Sequence, residues 1–90
     1  MKHLHLIISG DVQGVGFRAW VVDQAQDLGC VGWVKNRDDG AVEVAAEGEH
    51  ANLEELIKRC NHGPEVAWVK KVDVMWEEST GEFVGFEVVY

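Results

Sequence analysis

The sequence predicts an α+β fold in which two helices cover one face of an antiparallel sheet, and three observations predict it. Apolar residues alternate with a period of two near the N-terminus and in later segments, the signature of strands with one buried face. Two intervening segments instead space their apolar residues as a helix does. Asp38-Asp39-Gly40 falls between two strand-like runs and marks a tight hairpin.

The elements follow in order. Leu4, Leu6 and Ile8 alternate with His3, His5, Ile7 and Ser9 in a first strand. Phe17, Val21, Ala25 and Leu28, with Val22 beside them, form a helical stripe, and Gly29 stands where the helix would end in the left-handed conformation. Val31 to Lys35 reads as a second strand. Val42, Val44 and Ala46, alternating with Glu43, Ala45 and Glu47, read as a third. Asn52 with Glu55 has the capping-box pattern and opens a second helix, whose apolar side is Leu53, Leu56 and Ile57 and which Gly63-Pro64 stops. Val72, Val74 and Trp76 make a fourth strand, and after a turn at Ser79-Thr80-Gly81 a short last strand runs from Phe83 to Tyr90.

Both crossovers must be right-handed, which puts both helices on one face. The result is the ferredoxin-like split βαβ arrangement, βαββαβ plus a short fifth strand. This topology gathers the loop at Asp11–Phe17, the far end of the second strand and the Asp38–Gly40 hairpin at one end of the domain, so Asn36 can reach that loop. Cys30 and Cys60 fall at opposite ends, roughly 26 Å apart along a strand and far beyond disulfide reach; two free thiols are expected. His3 and His5 are expected on a solvent-facing sheet surface. Trp20 is expected as a partly packed surface residue, and Trp33, Trp68 and Trp76 as covers for the sheet.

At 90 residues, with 47% apolar and 27% charged residues, the chain is expected to form one domain, residues 1–90. A formal net charge of −8 argues against nucleic acid and acidic membrane surfaces as partners. The N-terminus lacks the apolar stretch of a signal peptide, and a cytoplasmic protein is expected. The reading is of a monomer, although an edge strand near the C-terminus could pair. The acidity opposes an anionic substrate, so any anion site must rest on local donors.

Such donors are concentrated in Gly10-Asp11-Val12-Gln13-Gly14-Val15-Gly16-Phe17-Arg18. No proline interrupts this loop, so each residue from Asp11 onward keeps an N–H that could point at an anion. The helix that follows presents its positive end to the same place, and Arg18 adds a planar fork of donors suited to phosphate. The loop is neither a Walker loop nor a dinucleotide fingerprint.

A second constellation, Gly32-Trp33-Val34-Lys35-Asn36 with Gly40, Val42 and Gly48, completes the pattern. Together the two motifs make the chain resemble the acylphosphatases, whose Gly-x-Val-Gln-Gly-Val-x-Phe-Arg signature is matched from Gly10 to Arg18. Weaker similarity continues through Gly63-Pro64 to the closing Gly85-Phe86 and Tyr90. The resemblance implies hydrolysis of the carboxyl–phosphate anhydride of a small acyl phosphate to a carboxylate and inorganic phosphate, with no metal or other cofactor. It also implies that Arg18 and the N–H groups of Val12, Gln13, Gly14, Val15, Gly16 and Phe17 hold the phosphoryl group, while Asn36 holds the attacking water.

Physical chemistry agrees with that implication. A carboxylate leaving group, with a conjugate-acid pKa of about 4 by analogy with Glu, departs without a proton and needs no general acid. Two other classes compete. A non-catalytic anion or carbamoyl-phosphate-binding module would share the cradle, since similar domains head the hydrogenase-maturation carbamoyltransferases; the absence of following zinc-finger cysteines favours a free-standing enzyme. An RNA-binding domain of the same topology would need aromatic and basic residues on its central strands, where this chain offers His3, His5, Ile7 and Glu43, Ala45, Glu47.

Overall fold

The computed structural model describes all of residues 1–90. In chain order its elements are β1 (Lys2–Asp11), α1 (Phe17–Asp27), β2 (Val31–Asn36), β3 (Val42–Gly48), α2 (His50–His62), β4 (Trp68–Glu78) and β5 (Phe86–Val88). The strands form one sheet in the order β4-β1-β3-β2-β5. β1 pairs antiparallel with β3 and β4, and β2 pairs antiparallel with β3. β5 runs parallel to β2, so the sheet is mixed rather than wholly antiparallel. Topology forces this: β4 ends opposite Lys2, and the chain then crosses to the far edge at the same end, where β2 also begins.

The predicted apolar faces meet in the core. Leu4, Leu6 and Ile8 of β1, Val42, Val44 and Ala46 of β3 and Val34 of β2 pack under Phe17, Val21 and Ala25 of α1 and Leu53, Leu56 and Cys60 of α2. Each Val, Leu, Ile or Phe among them contributes about 1.5–3 kcal/mol when fully buried, and this layer positions the helices more firmly than their propensities do. α2 starts at His50, earlier than the Asn52 start that the capping-box pattern suggests. Glu49 is its extended N-cap and makes no side-chain cap; the first helical bond runs from the Leu53 N–H to the Glu49 carbonyl at 3.0 Å. β3 ends at Gly48, so strand and helix are separated by Glu49 alone, and Leu53 and Leu56 face the core.

The outer face of the sheet is not open, and His3 is buried rather than solvent-facing. Between β4 and β5, residues 79–85 pass over it and close on Glu47, which is only 1% exposed. The Glu47 carboxylate accepts hydrogen bonds from the Ser79 hydroxyl (2.7 Å), the Thr80 N–H (2.8 Å) and hydroxyl (2.9 Å), the Gly81 N–H (3.0 Å) and His3 Nδ1 (2.7 Å). Phe83 lies over the His3 ring at 6.0 Å. His5 bonds Glu43 at 2.5 Å and meets the edge of Trp33. Trp33 thus covers the sheet as expected, and Trp76 lies against His50; Trp68 remains exposed.

Cys30 and Cys60 are free and buried. Burial pushes the Cys60 thiol up to about 12 and raises Cys30 as well, so neither is a ready nucleophile at neutral pH. No helix is long and apolar enough to cross a membrane.

Burial alone would raise the Glu47 carboxyl, but the bonds from Thr80, Ser79, His3 and Gly81 hold it well below the usual carboxylate range. A carboxyl whose folded value is depressed stabilises the fold fully above its unfolded value of about 4.3 and loses that contribution as pH falls below it. Urea unfolding midpoints should therefore decline progressively below about pH 4.3. The Glu47→Gln variant should be less stable at neutral pH by about 2–4 kcal/mol and should show a shallower acid decline. Equal acid slopes in the two proteins would remove Glu47 from the account.

Candidate active site

The junction of β1 and α1 is built from left-handed glycines. Gly14 (φ 75°) and Gly16 (φ 78°) adopt backbone that L side chains rarely take. A Cβ at either would meet nothing within 4 Å, so the backbone angle, not crowding, calls for glycine. Gly16 is also the N-cap of α1 and supplies no side-chain cap, and the first turn holds no acidic residue. None of the N–H groups from Val12 through Ala19 donates to a protein acceptor. An ordinary strand-to-helix turn would have satisfied several of these donors.

Gln13 fastens this loop to the hairpin. Its side-chain amide donates to the Arg37 carbonyl at 2.8 Å and to the Ala41 carbonyl at 2.9 Å. The hairpin is closed by the Arg37 N–H on the Ala41 carbonyl (2.8 Å) and by the Asp39 carboxylate, which accepts from the Ala41 N–H (3.1 Å) and the Arg37 guanidinium. Beside Arg37, Asp39 is held below its ordinary carboxyl range. This tie brings Asn36, the last residue of β2, against the loop.

The result is a pocket of about 180 Å³ walled by Val12, Gly14, Gly16, Phe17, Arg18 and Asn36, with Ala19, Val88 and Tyr90 completing it. No carboxylate side chain lines it. Arg18 is half-buried and has no hydrogen-bond or ion-pair partner; only the Tyr90 ring lies near, 5.5 Å from the guanidinium carbon. Arg37 and Arg59, the chain's other arginines, are each paired with carboxylates. Asn36 is likewise uncommitted: its buried Oδ1 has no partner.

Of the residues singled out from sequence, Val12, Gly14, Gly16, Phe17, Arg18 and Asn36 converge on the pocket. The side chains of Gln13 and Val15 do not: Gln13 turns to the hairpin, and Val15 packs against the core. Ala19, Val88 and Tyr90 escaped the sequence reading. The register of β5 on β2 brings the last two in, with Val34 opposite Val88 and the Val89 N–H on the Val34 carbonyl at 2.9 Å. Asp11 and His62 are exposed and lie outside the lining. Trp20 packs on Phe17 as an edge-to-face pair at 5.4 Å, not on the pocket. A larger hollow of about 420 Å³ at the opposite end is lined by Lys2, His50, Trp76, Glu77 and Glu78. Its two carboxylates make it a poor place for a phosphate.

If the Gln13 tie sets the loop, Gln13→Ala should cost about 1–3 kcal/mol of stability, the worth of two neutral hydrogen bonds. It should also weaken binding of inorganic phosphate, measured by calorimetric titration. Unchanged phosphate affinity would mean that the loop holds its shape without the hairpin.

Comparison with known proteins gives the family. The family model described as acylphosphatase matches residues 4–88. The acylphosphatase of Acaryochloris marina (strain MBIC 11017) is 52% identical over 86 residues, covering 96% of this chain and 91% of that protein. That of Pelotomaculum thermopropionicum is 46% identical over 86 residues, covering 96% and 94%. The crystal structure of acylphosphatase from Bacillus subtilis superposes with a TM-score of 0.96 at 38% identity, covering 100% of both chains. The likeness runs through the loop, the hairpin and the rest of the sheet alike, and the chain belongs to the acylphosphatase family.

Proposed function

We propose that Arg18 and the N–H groups of the Val12–Phe17 loop hold the phosphoryl group of an acyl phosphate, and that Asn36 aligns the water that attacks it. The chain is a hydrolase that cleaves acyl phosphates, as its family does. One observation carries the assignment of roles. The pocket combines an unpaired arginine, a run of unpaired N–H donors and an unpaired amide, in a chain that pairs its other arginines.

Phosphoryl transfer spreads charge over three equatorial oxygens, so fixed donors around them and an aligned nucleophile supply most of the catalysis. Arg18 and the loop meet the oxygens, the latter with the positive end of α1 behind it. Water donates a hydrogen bond to Asn36 Oδ1, which satisfies that buried acceptor and directs a lone pair at phosphorus; as the new P–O bond forms, the water's protons pass to the phosphate product and solvent. As the P–O bond to the acyl group breaks, its electrons leave on the carboxylate, which needs no proton at neutral pH. No step asks for a metal. The acyl phosphate is a small molecule, and the cytoplasm is the compartment that fits two free thiols.

The test is release of carboxylate and phosphate from an aryl acyl phosphate in the presence of a chelator. Wild type should turn over. Arg18→Ala should lose two charge-assisted hydrogen bonds, about 3–6 kcal/mol, or roughly two to four decades in kcat/KM. Arg18→Lys should not restore activity, because an ammonium lacks the fork. Phosphate binding by a wild type that does not turn over would leave a binding module instead.

Asn36 is separable from Arg18 by kinetics. Asn36→Ala should lower kcat by about a hundredfold, the usual loss for misalignment of a reacting group, while leaving phosphate affinity nearly unchanged. An equal loss of phosphate affinity would make Asn36 a binding group, not a holder of water.

A further inference from the structure

β4 is an edge strand: β1 pairs with one side of it and nothing pairs with the other. At 11 residues it is the longest strand, and it exposes Val74, Met75 and Trp76 at 38%, 54% and 40%. Folded proteins normally keep such edges short, covered or blunted, because free N–H and C=O groups template pairing with another chain.

The sequence of this edge is self-complementary. In Lys70-Lys71-Val72-Asp73-Val74-Met75-Trp76-Glu77-Glu78, the alternate residues Val72, Val74 and Trp76 are symmetric about Val74, Asp73 mirrors Met75, and the two basic residues at one end are matched by two acidic residues at the other. We infer that β4 pairs antiparallel with β4 of a second copy of this chain about a two-fold axis at Val74. The two five-stranded sheets then become one continuous sheet. Val74 faces Val74, Val72 faces Trp76, Asp73 faces Met75, and Lys71 faces Glu77 twice over, with Lys70 facing Glu78 at the ends.

Neighbouring registers are worse. An axis at Asp73 sets Asp73 against itself, and one at Met75 sets Asp73 against Glu77; like charges directly opposite destabilise a sheet. The regular ladder with β1 runs from Lys71 to Glu78, and the irregularity beyond Lys71 lies outside the window. Val72, Val74 and Trp76 lie opposite Ile8, Leu6 and Leu4, on the face that carries the helices. That row is half-covered by α2 and open beyond it.

The charges are free to take new partners. Lys70 and Glu77 have no ion-pair partner, while Lys71–Asp73 (3.2 Å) and Glu78–Lys2 (3.9 Å) are exposed contacts. The acidic hollow at Glu77 and Glu78 lies at the end of the strand that receives the lysines of the second copy. The catalytic pocket lies toward β2 and β5, at the other edge of the sheet, and stays open.

Sedimentation velocity from about 1 μM to about 1 mM spans weak edge pairings. Wild type should show a concentration-dependent dimer that weakens as salt rises. Lys70→Glu/Lys71→Glu and Glu77→Lys/Glu78→Lys should each raise the dimer Kd at least about tenfold, since every cross-strand charge contact turns repulsive. Each should keep wild-type turnover, which shows that it is folded. Mixed together, the two variants should form a heterodimer. Under mild oxidation Val74→Cys should cross-link, because facing Cα atoms about 4.5–5.5 Å apart are within disulfide reach. Lys70→Cys should not, being roughly 26 Å from its copy. A wild type that stays monomeric throughout, a mixed pair that does not associate, or equal cross-linking at both positions would overturn the inference.

Discussion

Two hydrogen bonds from the Gln13 amide to the carbonyls of Arg37 and Ala41 join the halves of the pocket. On one side of that tie is a loop whose N–H groups bond to nothing in the protein; on the other is the strand end that carries Asn36. A run of unpaired donors is costly to hold in place, since each would gain by bending back onto a carbonyl or into a helical turn. The fold resists this by anchoring both flanks. Val12 and Phe17 are buried in the core, and the left-handed backbone at Gly14 and Gly16 keeps the intervening amides from closing a turn. The side chain that could most easily have capped these donors, that of Gln13, is spent on the hairpin.

Charge is arranged by the same logic. A chain of net charge −8 must hold an anion against its own field, and it does so by keeping carboxylates out of the pocket wall and leaving one arginine unpaired. Several of its carboxylates are put to structural use. Asp39 closes the hairpin, Asp27 and Glu55 hold Arg59, and Glu47 anchors the crossing segment at the far end of the sheet. A carboxylate buried under five donors lies at one end of the sheet, and the cradle built on Arg18 lies at the other.

What was legible in the sequence was whatever depends on local pattern. The alternation in β1 and β3, the stripes of α1 and α2, the hairpin at Asp38–Gly40 and the glycine loop are each written in a few neighbouring residues, and right-handed crossover fixed their arrangement. Arg18 and Asn36 came together on topology alone. What was not legible depends on partners distant in sequence. His3 and Glu47 looked like outward residues of a sheet, because nothing near them announces that Ser79, Thr80 and Gly81 will donate to Glu47. Val88 and Tyr90 enter the pocket through the parallel register of β5 on β2, which follows from where β4 lets the chain go. The capping-box pattern at Asn52 marked the helix two residues late, because Glu49 is already its extended N-cap directly after β3.

These long-range features are linked through one segment. Residues 79–85 leave β4, cross the outer face, seal Glu47 and His3, and deliver β5 to the edge beside β2. The Gly32 N–H on the Gly85 carbonyl at 2.8 Å begins that last pairing, and the Val89 N–H on the Val34 carbonyl ends it, two residues before Asn36. Glu47 holds the segment that leads into β5, the short strand after which Val88 and Tyr90 join the pocket wall. One chain segment thus joins the buried carboxylate at the closed end of the sheet to the ring that lies against Arg18 at the open one.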